Sequence, residues 1–274
     1  MLKDITLGQF FPGNSVIHRL DPRIKLILVI LYIVLIFMAE NIYAFALLLF
    51  SVLSMVILSG ISFKVILKSI KPIFILMLIT AIINLFFTKG SGDPLVEWWI
   101  IKIWTKGIVN AVFMIVRILS LVIGTSVLLT YTTSPITLTD ALERLLKPLK
   151  YIKVPVHEFA MMMTIALRFI PTLLEETEKI VSAQKARGAS LDKGGIINKV
   201  KGFIPILIPL FISAFRRADD LACAMECRCY RGDNGRTRMK VLHLKLSDVI
   251  AVAVFLLIGC ALFFLNTLNS PISL

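Results

Sequence analysis

Nowhere in the chain is there a G-x-x-x-x-G-K-[ST] phosphate loop, so any ATP-driven step would need a nucleotide-binding partner. Histidine is scarce as well. His18, His157 and His243 fall outside the long apolar runs, which leaves Ser126 of the Gly124-Thr125-Ser126 stretch with no base to activate it. His157-Glu158 begins like a zinc-protease motif, but Met161 stands where H-E-x-x-H needs its second ligand. Of the four cysteines, Cys223, Cys227 and Cys229 lack the paired C-x-x-C spacing of a zinc site and read as small packing residues of a helix. With no nucleophile-base pair, metal set or cofactor motif, a non-catalytic protein is expected.

Acid is the next shortage, with 17 Asp plus Glu against 30 Lys plus Arg and a net charge of +13. The basic excess lacks the aromatic interleaving of a nucleic-acid platform, so its expected partner is the lipid bilayer, through anionic headgroups. What the chain has in abundance is apolar side chains: 58% of residues, with a mean hydropathy of +0.88. That is more than a soluble core of this size can use. A hydrocarbon layer about 30 Å thick takes about 20 apolar residues per helical crossing. Five runs approach or meet that length: Ile24 to Ala39, Ile42 to Leu58, Pro72 to Phe87, Gly107 to Tyr131 and Val249 to Leu265. The expected fold is an all-α polytopic integral membrane protein, with about five transmembrane helices plus a helical cytoplasmic region.

Orientation follows from Lys and Arg, which gather in cytoplasmic loops. Arg19, Arg23 and Lys25 attend the first run, and Lys64, Lys68 and Lys71 fill the loop after the second, so both places are assigned to the cytoplasm. The loop after the third run mixes Lys89, Lys102 and Lys106 with Asp93 and Glu97, and its Trp98, Trp99 and Trp104 suit an interfacial belt outside. The amino terminus is thus expected inside the cell membrane and the carboxyl terminus outside. A cleaved signal peptide is not expected, because the nearby small-x-small site, Ala44-Phe45-Ala46, lies within the second run.

Three segments result: 1–131 with the amino-terminal segment and four spans, 132–247 as a cytoplasmic insert, and 248–274 with the last span. The insert holds 19 Lys plus Arg against 11 Asp plus Glu, +8 of the chain's +13. Its punctuation predicts a short helix from Thr139 or Ser134-Pro135 to Leu149. A second should run from Val156 to Ala186 with a kink at Pro171, and a third from after Lys201 to Cys229, bent by Pro205 and Pro209. Met161, Met162 and Met163 read as adaptable packing, and Asp219-Asp220 as local partners of Arg216-Arg217.

At about 100° per residue, Leu173, Thr177, Ile180, Gln184 and Arg187 share one sector of the second helix. Ala214, Leu221, Met225 and Arg228 share one of the third. Each stripe therefore ends in an arginine on the contact face, flanked by small residues: Ala186 and Gly188, or Cys227 and Cys229. Such an arginine can neutralise the helix dipole, snorkel to lipid phosphate, or enter a groove on another protein and pair with its carboxylates. Repetition on two helices with slim flanks favours the third. Arg117 is a separate case, a charge near the middle of the fourth run whose expected uses are contact with another span, contact with a partner, or snorkelling.

The opening FFPGNSVIHRLDPRIKL at residues 10–26, the Ala186-Arg187-Gly188 motif and the order of spans and insert resemble the transmembrane T component of energy-coupling factor transporters. The resemblance covers essentially the whole chain and includes a looser second motif at Ala224, Met225, Glu226, Arg228 and Tyr230. It implies a coupling scaffold of an ATP-driven vitamin or micronutrient importer, joining two ABC-type ATPase subunits to a membrane substrate-binding subunit. Carried over, Ala186, Arg187 and Gly188 would dock on one ATPase and Cys227, Arg228 and Cys229 on the other, with Arg231-Gly232 as a competing register. The alternative is a stand-alone secondary transporter, which would need broken helices or midplane ionisable groups in matched halves. Only Arg117 qualifies, and no inverted repeat is visible.

Overall fold

The computed structural model describes residues 10–88, 96–98, 101–188, 195–232 and 242–267. Asp21 starts the first helix, α1 (Pro22–Met38), by accepting the Arg23 N–H at 2.9 Å, and Pro22 takes the first helical position, where no donor is needed. α2 (Ile42–Ser59) ends at Gly60, whose φ of 66° is the left-handed conformation that closes a helix. α3 (Phe63–Ile70) and α4 (Phe74–Phe87) meet at a bend of 59° beside Pro72. The strands β1 (Val96–Trp98) and β2 (Ile101–Ile103) pair antiparallel. α5 (Thr105–Thr125) runs on as a π-helical turn, Ser126–Thr130, before α6 (Pro135–Leu145) and a 3-10 turn, Lys147–Ile152. α7 (Val156–Ala186), α8 (Ile196–Cys227) and α9 (Leu246–Thr267) complete the order.

The described residues fall into two compact units, 10–141 with 242–267, and 142–188 with 195–232. In the first, α2, α5 with its extension, and α9 are long and apolar enough to cross a membrane, and the bent α3–α4 pair makes up to a fourth crossing. The expected count of five also included α1, which at 17 residues is one shorter than α2 and runs beside α9 from end to end, the Asp21 N–H donating to Asp248 and the Asn266 amide donating to the Met38 carbonyl. The segment with Lys64 and Lys68, expected as a loop, is the helix α3. Phe63, Ile66, Leu67 and Ile70 recur at the helical period, and Ile66 is buried. Lys89, Asp93 and Trp99, singled out above, lie outside the described residues.

The first unit packs around Tyr32, which is 1% exposed and donates its hydroxyl to the Ser120 carbonyl at 2.9 Å. Gly124 makes this possible, because a Cβ there would sit 2.2 Å from the Tyr32 ring. The Gly124-Thr125-Ser126 stretch is thus a helix-packing contact. Gly124→Val is expected to lower the thermal midpoint of the purified chain in detergent, at a cost of about 1–3 kcal/mol for forcing atoms into a filled site; Ser126→Ala should leave it nearly unchanged. Arg117 is engaged with another span. It donates to the Ala39 carbonyl at 2.7 Å, beyond the end of α1, and its guanidinium lies 5.4 Å from the Phe45 ring centroid.

In the second unit α7 and α8 pack together, and Arg217 of α8 donates to Glu176 of α7 at 2.6 Å. This corrects the expectation that Arg217 pairs within its own helix. Arg217 is half-buried, whereas Asp219 and Asp220 are exposed. His157 Nδ1 lies 2.9 Å from Glu143 Oε1 and ties the start of α7 to the end of α6. Met161 is half-buried and packs as expected, while Met162 and Met163 are exposed.

Candidate functional site: two arginine-capped helix ends

α7 runs unbroken through Pro171 for 31 residues and ends where the sequence punctuates it. Arg187 is the cap residue, its N–H donating to the Ala183 and Gln184 carbonyls at 3.2 Å. Gly188 follows at a φ of 84° and donates to the Lys185 carbonyl at 3.0 Å. α8 closes in the same way. Arg228 is the cap, Cys229 follows at a φ of 54°, and the N–H groups of Cys229 and Tyr230 donate to Glu226 at 2.8 Å and Met225 at 3.0 Å. That crossed pair of bonds is a Schellman closure, which requires a left-handed residue directly after the cap.

The closure gives a local reason for a small residue behind each arginine. Glycine takes the left-handed conformation freely, and another residue does so at about 1–2 kcal/mol. It also gives Arg187 and Arg228 the same position, the caps of α7 and α8, whereas Arg231-Gly232 lies beyond the end of α8. Cys229→Gly is therefore expected to keep the closure of α8, read as unchanged amide exchange at Tyr230. The β-branched Cys229→Val should fray the last turn of α8, read as faster amide exchange at Cys229 and Tyr230.

Leu173, Thr177, Ile180 and Gln184 are half-buried, as are Ala214, Leu221 and Met225, so the stripes face inward as their spacing predicts. Both arginines were expected on that contact face, and here the structure differs: Arg187 and Arg228 are exposed. Among the described residues neither guanidinium has a hydrogen-bond or ion-pair partner. Ala186, Gly188, Cys227 and Cys229 are exposed as well, so each tip offers a planar, five-donor cation with no bulky neighbour to keep it from a recessed carboxylate.

One feature of this unit escaped the sequence reading. Ile204, Ile208, Phe211 and Phe215 of α8 are all exposed, and the two phenylalanine rings stack at 6.3 Å. Their spacing of four, three and four residues is one helical stripe; it was visible in the sequence but merged there with the general apolarity.

Residues 13–241 match the family described as cobalt transport protein, CbiQ. Proteins named energy-coupling factor transporter transmembrane protein EcfT are similar along nearly the full length. One from Clostridium kluyveri is 54% identical over 260 residues, covering 95% of this chain and 96% of the relative. One from Ruminiclostridium cellulolyticum is 53% identical over 254 residues, covering 93% and 94%. A third, from Acidaminococcus fermentans, is 50% identical over 266 residues, covering 97% and 98%.

Proposed function

Because the chain belongs to the cobalt transport protein (CbiQ) family and with it to the transmembrane components of energy-coupling factor transporters, we propose that it is the non-catalytic coupling subunit of an ATP-driven vitamin or micronutrient importer. Membership makes it a multi-pass membrane protein and a transporter component. The finer reading rests on one observation, the paired exposed arginines held in the same cap geometry at the ends of α7 and α8. In this reading Arg187 docks on one ABC-type ATPase subunit and Arg228 on a second, each in a carboxylate-lined groove. The ATPases close on binding ATP and part after hydrolysis, so the two tips they hold are displaced relative to one another. ATP is cytoplasmic, which puts the tips and the amino terminus on that side of the cell membrane.

The exposed stripe on α8 fits a membrane-embedded substrate-binding subunit, which would carry nutrient recognition. Purification tests the assignment directly: two nucleotide-binding subunits and one membrane substrate-binding subunit are expected to co-elute with this chain. Transport by the lone chain in liposomes would overturn it in favour of a secondary transporter.

A further inference from the structure

Lys25 and Asp248 are each 1% exposed, and charges that deep are retained only where bonds hold them. Lys25 sits in the first turn of α1. Its Nζ donates to the Thr132 carbonyl at 2.9 Å and to the Thr132 and Thr133 hydroxyls at 3.2 Å. Those threonines are where the chain leaves the fourth span toward α6. Asp248 sits in the first turn of α9 and accepts the Asp21 N–H at 2.8 Å through one oxygen and the Lys245 N–H at 2.7 Å through the other. Arg23 donates to the Leu242 carbonyl at 3.2 Å. Leu242 to Lys245 is where the chain returns to the last span.

The residues before α1 hold this segment in shape. The His18 ring bridges the Ser15 hydroxyl at 2.6 Å and the Phe11 carbonyl at 3.0 Å, and the Phe11 N–H donates to the Tyr131 carbonyl at 3.0 Å. Gly13 passes so close to the His18 ring that a Cβ there would lie 2.8 Å from it. The amino-terminal pattern of Pro, Gly, Ser, His, Asp, Arg and Lys, for which tip docking has no use, is accounted for here.

We infer that Asp21 to Lys25 form a clasp across the outgoing and returning ends of the cytoplasmic region, with Lys25 and Asp248 as positioning residues for transport. This rests on the coupling reading above. An apolar pair of similar volume would serve stability as well or better, but it would not fix the register of two separate strands. Directed bonds to three threonine oxygens and two backbone N–H groups do. A clasp that stays shut passes displacement of the tips into the spans; slack connections would absorb it.

The test uses the complex of this chain with its ATPase and substrate-binding subunits, reconstituted in liposomes. For Lys25→Met and for Asp248→Asn, ATP hydrolysis is expected to stay within about two-fold of the unaltered complex while uptake falls about ten-fold or more, the scale of an error in positioning. Equal proportional loss of both activities in an assembled complex, or unchanged uptake, overturns the inference. A second measurement needs no variant. In the unaltered complex, peptides covering residues 19–25 and 242–249 are expected to keep the same hydrogen-exchange protection with and without turnover, and faster exchange during turnover overturns the clasp. The two readings fail separately. An unaltered complex that imports nothing with ATP sinks the coupling role, whereas one that imports normally while these peptides open sinks the clasp alone.

Discussion

Charge reversal at both helix tips, Arg187→Glu with Arg228→Glu, is expected to abolish ATP-driven uptake and to release the ATPase subunits from the purified complex. Both side chains are exposed and unpartnered among the described residues, so their replacement should cost the chain itself little beyond the helix-dipole contribution of about 0.3–1 kcal/mol at each cap. At an interface the same change is far larger. Truncating one member of a desolvated charge pair costs about 2–5 kcal/mol, and reversal adds repulsion. Each ATPase therefore loses more than about 2 kcal/mol at the tip it holds, or more than about one decade of affinity. A role confined to the helix dipole, worth about 0.3–1 kcal/mol, would leave the ATPases bound. The double lysine variant should fall between, since it keeps the charge and loses the two-pronged fork. Affinity pull-down and vesicle uptake read both outcomes, and a double glutamate variant that holds its ATPases and imports normally rules out docking through these tips.

How much of this was legible depends on how local the deciding physics is. The bounds of α7 follow from Pro155 on one side and Arg187-Gly188 on the other, and structure and sequence agree there to the residue. The inward stripes on α7 and α8 follow from the helical period alone. α3 was missed because its three-lysine neighbourhood reads as a loop, and eight residues are too few for periodicity to stand out. The length of α1 depends on where Asp21 caps it and where Ala39 breaks it, a matter of two or three residues. The exposure of Arg187 and Arg228 was misjudged for a different reason. Phase gives the direction of a side chain, but what lies opposite it is a tertiary fact. Long-range pairs were beyond reach altogether: nothing in the sequence near Arg217 selects Glu176, and nothing near Lys25 selects Thr132. The left-handed residue after each arginine was half legible, since Gly188 announces it and Cys229 does not.

Placing two charges in the exposed stripe of α8, Phe211→Glu with Phe215→Glu, is expected to detach the membrane substrate-binding subunit and leave the ATPases in place. The two rings are 60% and 66% exposed, so the helix pair itself loses little packing. A partner covering them would lose two aromatic anchors, each worth about 1.5–3 kcal/mol of buried area, and would have to desolvate two carboxylates against an apolar surface. The resulting particle should contain this chain and both ATPases, hydrolyse ATP, and import nothing. The arginine variants should give the reverse, retaining the substrate-binding subunit and losing the ATPases. Each pair thus controls for misfolding in the other, because a collapsed chain would lose both partners at once. If the phenylalanine variant keeps the full complex and imports normally, the stripe faces lipid or water, and the substrate-binding subunit must be sought on the spans.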